Sequence, residues 1–280
     1  MAEQPVVVLL HGLGANRHVW DGVAGLLRAD GVTVYAPDIR GHGEAPWRKP
    51  YTFGAMAADV AEALQRDHRG TPYIVAGHSM GGVVGLALAS GWFGTPPQLA
   101  ATIGVKLRWS AEEVGRIAEL ASRPPREFSE RADAVEWFMK LAGLHRVVET
   151  DDERIGMAIE AGVMRTGSER RLSAGDEPAH ENSPDSAAGW CVAQDPATVG
   201  VGPPDVTGLL AAAKCQVVMA LGGRDPVVTP EHHHDLTAAA STNPLAAGVA
   251  EPHVFSGLGH NAMVEEPRAV ADWLAALSAP

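Results

Sequence analysis

The sequence predicts an α/β fold in which a mostly parallel central sheet is flanked by helices and interrupted by an inserted helical segment. Short apolar runs alternate with segments of helical periodicity over residues 5–105, and the same alternation returns over residues 215–280. Between them, residues 106–214 contain three helical patterns. Strands that alternate with helices form parallel sheets. We therefore expect a core domain of residues 1–105 and 215–280, with residues 106–214 forming a helical cap or lid.

A serine at the junction of a strand and a helix is the feature around which the rest of the chain is organised. The run 73–76 leads into Gly77-His78-Ser79-Met80-Gly81-Gly82, and an apolar helical pattern continues over residues 83–89. Glycines two residues before and after Ser79 leave room for a sharp turn that exposes a strained serine at the end of a buried strand. Ser79 is thus a candidate nucleophile, and the amide of Met80, which opens the helix, is a candidate oxyanion donor.

The first strand is predicted at residues 6–10, a continuous apolar run typical of a strand that is buried on both faces. It ends in His11-Gly12-Leu13-Gly14. The loop after this strand supplies the second oxyanion donor in nucleophile-elbow hydrolases, so the amide of Leu13 is the candidate here. His11 is expected to brace the loop.

Further strands and helices follow before the insertion. We expect a helix near 18–29, a strand at 32–38, a helix at 53–68 and a strand at 99–105. Asp38 and His42, in the turn after the second strand, could be imagined as a catalytic pair. A turn-forming aspartate and a glycine-flanked histidine fit a scaffold role better.

Three helices are predicted in the insertion, near 110–121, 129–142 and 151–165. Ser110 and Glu113 have the spacing of a capping box at the start of the first helix. Residues 166–189 are polar and lack periodicity, which predicts a long loop that is either disordered or a mobile lid. We expect the three helices to lie over Ser79 with their apolar faces inward, so that the insertion sets substrate choice and the loop forms the entrance.

Large apolar side chains in or beside the insertion could wall a substrate pocket. The candidates are Trp109, Trp137, Phe138, Met157 and Trp190. Most of these side chains suit packing between the cap and the core equally well.

The remaining elements are predicted as a strand at 215–221, a helix from about residue 230, a strand at 252–255 and a helix at 267–277. Asp225 and His260 each follow one of these strands. Ligands of open parallel sheets bind outside the carboxyl ends of the strands, where Ser79 also falls. The chain order serine, acid, histidine is the one expected of a nucleophile-elbow hydrolase. His260 would accept the proton of Ser79, and Asp225 would fix the imidazole tautomer.

Taken together, these motifs resemble those of the α/β-hydrolase superfamily. The resemblance covers residues 5–105 and 215–280. The segments that carry it are His11-Gly12-Leu13-Gly14, Asp38-x-Arg40-Gly41-His42-Gly43, Gly77-His78-Ser79-Met80-Gly81-Gly82, Gly223-Arg224-Asp225-Pro226 and Gly259-His260. It implies the α/β-hydrolase fold, a serine, histidine and aspartate triad, and a helical cap formed by residues 106–214. Family members usually begin with an antiparallel hairpin, whereas this chain starts at the first parallel strand, so we expect six strands rather than eight.

The predicted function is that of a serine hydrolase. A serine at the elbow argues against epoxide hydrolase and haloalkane dehalogenase chemistry, because both use an aspartate nucleophile. We expect cleavage of a carboxylic ester or lactone of a small apolar substrate through an acyl-enzyme intermediate. A carbon–carbon bond hydrolase of the β-diketone type or a thioesterase with the same triad is the alternative. A small-ligand receptor with slow or no turnover is the alternative of another class.

Charge and composition limit the classes of binding partner that are expected. The 280 residues are 46% hydrophobic, enough for a proper core, and the net charge of −12 argues against nucleic acid or an anionic membrane as a partner. No stretch has the length of a membrane span and no signal-peptide pattern is present. A small-molecule substrate and a cytoplasmic location are therefore expected, with the oligomeric state open.

Neither a cofactor nor a metal ion is predicted. The histidine run 232–234 invites a metal site, but consecutive histidines on a helix point in different directions. A surface helix that starts after Pro230 accounts for them. The two cysteines, Cys191 and Cys215, are expected to be packing residues rather than a disulfide.

Overall fold

The architecture comes from a computed structural model that describes residues 4–167, 189–228, 237–238 and 240–278. Most of the predicted entrance loop 166–189 lies outside the described residues. So do the start of the helix expected from about residue 230 and the histidine run 232–234.

Eight strands and nine helices have both of their ends within the described residues. The strands are β1 Val6–Leu10, β2 Val34–Tyr35, β3 Tyr73–His78, β4 Leu99–Ile103, β5 Val163–Arg165, β6 Trp190–Val192, β7 Gln216–Gly222 and β8 His253–Phe255. The helices are α1 Asp21–Ala29, α2 Phe53–Asp67, α3 Met80–Ala89, α4 Ala111–Ala121, α5 Arg131–Leu141, α6 Gly156–Gly162, α7 Val206–Ala212, α8 Ala262–Glu265 and α9 Pro267–Ser278. Short 3-10 turns lie at Arg17–Trp20, Glu153–Ile155, Pro196–Val201 and Pro244–Val249.

The central sheet has six parallel strands in the order β2-β1-β3-β4-β7-β8. This confirms the predicted fold class and the expected strand number. In the register, Gly77 of β3 lies beside Leu10 of β1, and Ile103 of β4 lies between His78 of β3 and Ala220 of β7. The carboxyl ends of the four central strands therefore meet at one edge of the sheet.

Two strands are shorter by two or more residues than the sequence predicts. The strand expected at 32–38 keeps only Val34–Tyr35, because it lies at the edge of the sheet and pairs on one side alone. The strand expected at 99–105 ends at Ile103, because Gly104 adopts a φ of +64° that a strand does not allow.

The inserted segment lies between β4 and β7 in the chain. The prediction of its third helix is partly wrong. Residues 151–165 form a 3-10 turn, then α6, and then β5, which pairs antiparallel with β6. A three-residue strand whose partner lies beyond a long gap in sequence gives no periodic signal of its own. The capping box is present as predicted: Ser110 Oγ accepts the amide of Glu113, whose carboxylate accepts the amide of Ser110.

The helices of the insertion do not all lie over Ser79, which corrects the expectation of three helices above the nucleophile. Buried side chains of α5 and α6, such as Phe138 and Ile159, belong to the same apolar cluster as Val19 and Trp20 beside α1. The second cluster contains α2, α3 and α7 on the other face of the sheet. Of α4, α5 and α6, only α4 borders the cavity next to Ser79. The division into a core and a cap stays a prediction.

Candidate active site

Ser79 occupies a strained turn between β3 and α3. Its φ of +50° and ψ of −113° form a backbone conformation that residues with a side chain rarely adopt. Its amide donates to the carbonyl of Ile103 at 2.8 Å. The flanking glycines are required by close approach: a Cβ on Gly77 would lie 2.2 Å from the carbonyl oxygen of Gly81, and one on Gly81 would lie 2.3 Å from that of Leu10. The packing of β1, β3 and α3 thus holds the serine in this conformation.

Helix α3 begins directly after the serine, at Met80. Met80 is the first residue of the helix, so no carbonyl within the helix can accept its N–H. The helix also places the positive end of its dipole here. Leu13, in the loop after β1, and Met80 both line the cavity that contains Ser79. Their amides remain the predicted donors to a developing oxyanion.

Asp225 and His260 meet at the carboxyl ends of β7 and β8. Asp225 Oδ2 lies 2.8 Å from His260 Nδ1, and the aspartate side chain is fully buried. Its other oxygen, Oδ1, accepts the amides of Val227 at 2.7 Å and Val228 at 3.1 Å. Because a carboxylate only accepts hydrogen bonds, the proton of a neutral His260 lies on Nδ1 and not on Nε2.

Three further residues position His260, and none of them was predicted in that role. His78 Nε2 donates to the carbonyl of His260 at 3.0 Å, and Glu265 accepts the amide of Gly259 at 2.9 Å. Asn261 Nδ2 donates to the carbonyl of Gly143, just after α5, at 2.9 Å. Burial is the largest of the causes that hold the pKa of His78 well below its usual range, followed by the neighbouring imidazole of His260. The sequence signal for this role of His78 is that it directly precedes Ser79.

Gly104 is a fourth positioning residue, and it lies under the imidazole. A Cβ at this position would stand 2.9 Å from His260 Cε1 and 3.4 Å from Asp225 Oδ2. The sequence offered only a glycine near the end of a strand, because the contact depends on how β4 lies beside β7. The absence of a side chain at Gly104 therefore makes room for the pair.

We expect Gly104→Ala to lower kcat by about 100-fold, because the new methyl group would push the imidazole of His260 out of line. Gly257→Ala is the matched control, since Gly257 also has a positive φ, of +77°, but a Cβ there would meet nothing within 4 Å. Steady-state kinetics on an activated ester check the result. An equal loss in both variants would show backbone strain, and not the contact with His260, to be the cause.

A cavity of about 290 Å³ opens above Ser79. Its lining comes from the sheet edge and α3, from α4, and from the segment around the 3-10 turn 196–201. The lining residues are Leu13, Phe53, Ser79, Met80, Val83, Lys106, Trp109, Ile117, Leu120, Val199, Val201, Gly202, Pro204 and Val227. Most of these side chains are apolar, so the cavity suits the hydrocarbon part of a small substrate.

Trp109 is the one predicted pocket residue that lines this cavity. Phe138 is instead buried in the core, with its ring against Gly162. Met157 is 57% exposed. Trp137 and Trp190 are half-buried and carry arginine side chains over their rings, Arg126 on the first and Arg165 on the second. These four side chains lie outside the lining of this cavity, because a local apolar pattern does not tell which surface a side chain meets.

Comparison with known proteins settles the family. The model of the alpha/beta hydrolase family matches residues 7–273, nearly the whole chain. The chain belongs to the α/β-hydrolase family. Solved structures agree on the fold: E-2-(acetamidomethylene)succinate hydrolase superposes with a TM-score of 0.71 at 18% identity, covering 98% of this chain and 91% of that one. An esterase from Mycobacterium tuberculosis gives 0.68 at 20% identity, covering 99% and 86%.

Curated relatives of this α/β hydrolase match over shorter segments. Lipase LipV of Mycobacterium tuberculosis is 35% identical over 97 residues, which is 35% of this chain and 35% of the lipase. Pimeloyl-[acyl-carrier protein] methyl ester esterase of Neisseria meningitidis is 43% identical over 84 residues, or 30% of this chain and 25% of the esterase. The matched segments thus span about a third or less of these relatives.

In this α/β hydrolase, two buried histidines brace the loops beside the site. His11 Nδ1 donates to the carbonyl of Gly12 at 2.8 Å, and its Nε2 accepts the amide of Ile39 at 2.9 Å. The ring of His42 packs edge-on against that of His11 at 5.2 Å. Asp38 accepts the amides of Arg17 and Glu44. These contacts agree with the scaffold roles expected for the three residues.

Burial of neutral histidines should make the α/β hydrolase sensitive to acid. Burial, together with the neighbouring imidazole of His11, lowers the pKa of His42 from 6.5 to about 3. Below pH 6.5 the unfolded chain binds a proton at this residue and the folded chain does not, so the free energy of unfolding falls as the pH falls. At pH 5 the loss from His42 is about 2 kcal/mol.

His42→Gln should therefore lose about 2 kcal/mol less stability than the wild type between pH 7 and pH 5. Urea unfolding at the two pH values measures this difference. His145→Gln, at an exposed histidine, is the control and should follow the wild type. A pH dependence of His42→Gln that equals that of the wild type would contradict the assignment.

Neither a metal-binding cluster nor a membrane-spanning helix is found in the part of the chain that the structure describes. In residues 4–167, 189–228, 237–238 and 240–278, no group of three or more His, Cys, Asp or Glu side chains is placed to hold a metal ion. Within those ranges every helix is too short or too polar to cross a lipid bilayer.

Proposed function

We propose that this protein is a serine hydrolase that cleaves carboxylic esters or lactones of small substrates through an acyl-enzyme intermediate. One observation carries the proposal: a serine held at a positive φ faces an apolar cavity, at the sheet edge where a buried aspartate fixes a histidine. Strain is retained at functional sites, and no packing reason requires a serine hydroxyl at this turn.

The proposed mechanism uses Ser79, His260 and Asp225 in turn. Ser79 Oγ attacks the ester carbonyl while His260 Nε2 takes its proton, and Asp225 stabilises the imidazolium through Nδ1–H. The amides of Leu13 and Met80 bind the oxyanion of the tetrahedral intermediate. His260 then returns the proton to the leaving alcohol. Water attacks the acyl-serine by the same path and releases the acid.

Esters are favoured over other acyl compounds by the relatives. The names lipase and methyl ester esterase describe ester hydrolysis, and both relatives match this chain over segments at 35% or more identity. The apolar cavity of about 290 Å³ suits a small acyl chain. Thioesters and β-diketones remain the other substrates for the same three residues.

A substrate panel tests the proposal directly. Wild type and Ser79→Ala are assayed with p-nitrophenyl esters, lactones, thioesters and β-diketones, and a fluorophosphonate probe reports labelling of Ser79. We expect the wild type to hydrolyse its best ester at about 1 per second or faster and to be labelled at Ser79. Tight binding with turnover over many minutes would instead indicate a receptor, and preferred cleavage of a β-diketone or thioester would replace the ester assignment.

A further inference from the structure

One charged side chain lies in the otherwise apolar wall of the cavity above Ser79. Among the described lining residues, Lys106 alone carries a charge. Only 16% of its side chain is exposed. Removing an ammonium group from water is costly, so its retention in the wall of an apolar cavity points to a role there.

Lys106 is close to the nucleophile in space, because both residues line the same cavity. It follows β4 by three residues, and the last residue of β4, Ile103, accepts the amide of Ser79 at 2.8 Å. Because consecutive Cα atoms are about 3.8 Å apart, the Cα of Lys106 lies within about 11 Å of that of Ile103. A substrate that spans a few bonds beyond its scissile carbonyl can therefore reach the ammonium group.

The partners of Lys106 leave part of its ammonium free for a ligand. Nζ donates to Glu113 Oε1 and lies 4.9 Å from the centre of the Trp109 ring. Glu113 is fixed in turn, since its Oε2 accepts the amide of Ser110 at 2.8 Å. An ammonium group has three donors, and one carboxylate oxygen occupies one of them.

The ion pair is also asymmetric with respect to solvent. The side chain of Glu113 is 38% exposed, against 16% for Lys106. Water screens the carboxylate more strongly than the ammonium, so the carboxylate offsets only part of the positive charge that a ligand in the cavity would meet. The hydrogen bond from Lys106 lowers the pKa of Glu113 to about 2, which keeps the pair ionised at neutral pH.

We propose that Lys106 is a specificity-determining residue that binds a carboxylate of the substrate, so that the preferred substrates are esters with an anionic group a few bonds from the scissile carbonyl. This inference rests on the proposed ester hydrolysis at Ser79. The apolar lining holds the hydrocarbon chain between the two ends. Glu113 competes with the substrate carboxylate for the same ammonium.

Three methyl esters of similar length but different charge provide the probes: monomethyl adipate, neutral methyl heptanoate and cationic methyl 6-aminohexanoate. The variants are Lys106→Met, which removes the charge but keeps the length, and Glu113→Gln, which removes the competing charge and keeps a residue suited to the capping box. Lys140→Met removes an exposed lysine that pairs with Glu136 on α5, and controls for net charge.

We expect the wild type to prefer the anionic ester to the neutral one. In Lys106→Met the ratio of their kcat/KM values should fall by about 10- to 100-fold, the effect of losing one hydrogen bond between charged groups. The ratio should rise in Glu113→Gln and stay unchanged in Lys140→Met. If Lys106 and Glu113 served only to fix α4, both variants would lower the rates for all three esters alike, and the proposal would be overturned.

A binding measurement separates this inference from the proposed function. In the Ser79→Ala background the esters bind without being cleaved, and calorimetry gives their dissociation constants with and without Lys106→Met. A weaker affinity for monomethyl adipate alone supports the carboxylate site even if turnover fails. Equal affinities for the anionic and neutral esters overturn it even if the wild type hydrolyses both.

Discussion

Ser79→Ala is expected to lower the rate of ester hydrolysis by a factor on the order of 10⁶ and to leave the fold intact. Alanine keeps the Cβ that the strained turn already accommodates, and the change removes one oxygen atom that borders a cavity. The loss would then be that of the nucleophile, because no other hydroxyl stands at the start of α3. Initial rates measure the loss of activity, fluorophosphonate labelling reports the nucleophile, and the melting temperature reports the stability of the fold.

Ser90→Ala is the matched control for this experiment. Ser90 is a fully buried serine at the other end of α3, and its hydroxyl donates to the carbonyl of Ala87 at 2.6 Å. Its variant should lose some stability and keep activity. A Ser79→Ala protein that retains more than about a tenth of the wild-type rate would refute the assigned nucleophile.

Asp225→Asn is expected to lower kcat by about 10⁴-fold. Asp225 Oδ1 accepts two backbone amides, so the amide oxygen of an asparagine would take that place and its NH₂ group would face His260 Nδ1. An NH₂ group donates, which forces Nδ1 to be the acceptor and moves the ring proton to Nε2. Nε2, the nitrogen proposed to take the proton of Ser79, would then be unable to accept it.

Kinetics at several pH values and circular dichroism test this result. The wrong tautomer predicts a folded protein with a low kcat and little change in KM, since the cavity lining is untouched. Asp38→Asn is the control, because Asp38 also accepts backbone amides but contacts Arg17 and not a histidine. A large loss of kcat in Asp38→Asn, with a nearly normal kcat in Asp225→Asn, would show that Asp38 and not Asp225 is the acid that orients the histidine.

The sequence sufficed for the fold class and for the residues at the strand ends. Buried parallel strands leave continuous apolar runs, and the elbow needs glycines at fixed positions, so β1, β3, β4 and β7 were predictable from local patterns. Since parallel strands end at one edge, the approach of Asp225 and His260 followed from the strand order. The structure adds their contact of 2.8 Å and leaves the triad as a proposal for kinetics to test.

The surroundings of the site could not be predicted in the same way, because they depend on contacts between distant segments. Gly104 makes room for His260 only through the neighbouring positions of β4 and β7. Phe138 has the pattern of any amphipathic helix, and nothing local shows that its ring meets Gly162 rather than a substrate. Nothing local distinguishes Lys106 from the usual solvated lysine after a strand.

The two outer strands of the sheet have a consequence for association. Within the described residues, β2 has two residues and β8 has three, so each rim of the sheet presents few free N–H and C=O groups. Long unpaired rims act as templates to which another chain adds a strand, and short ones resist aggregation by this route. Strand addition at either rim of the described central sheet is therefore disfavoured.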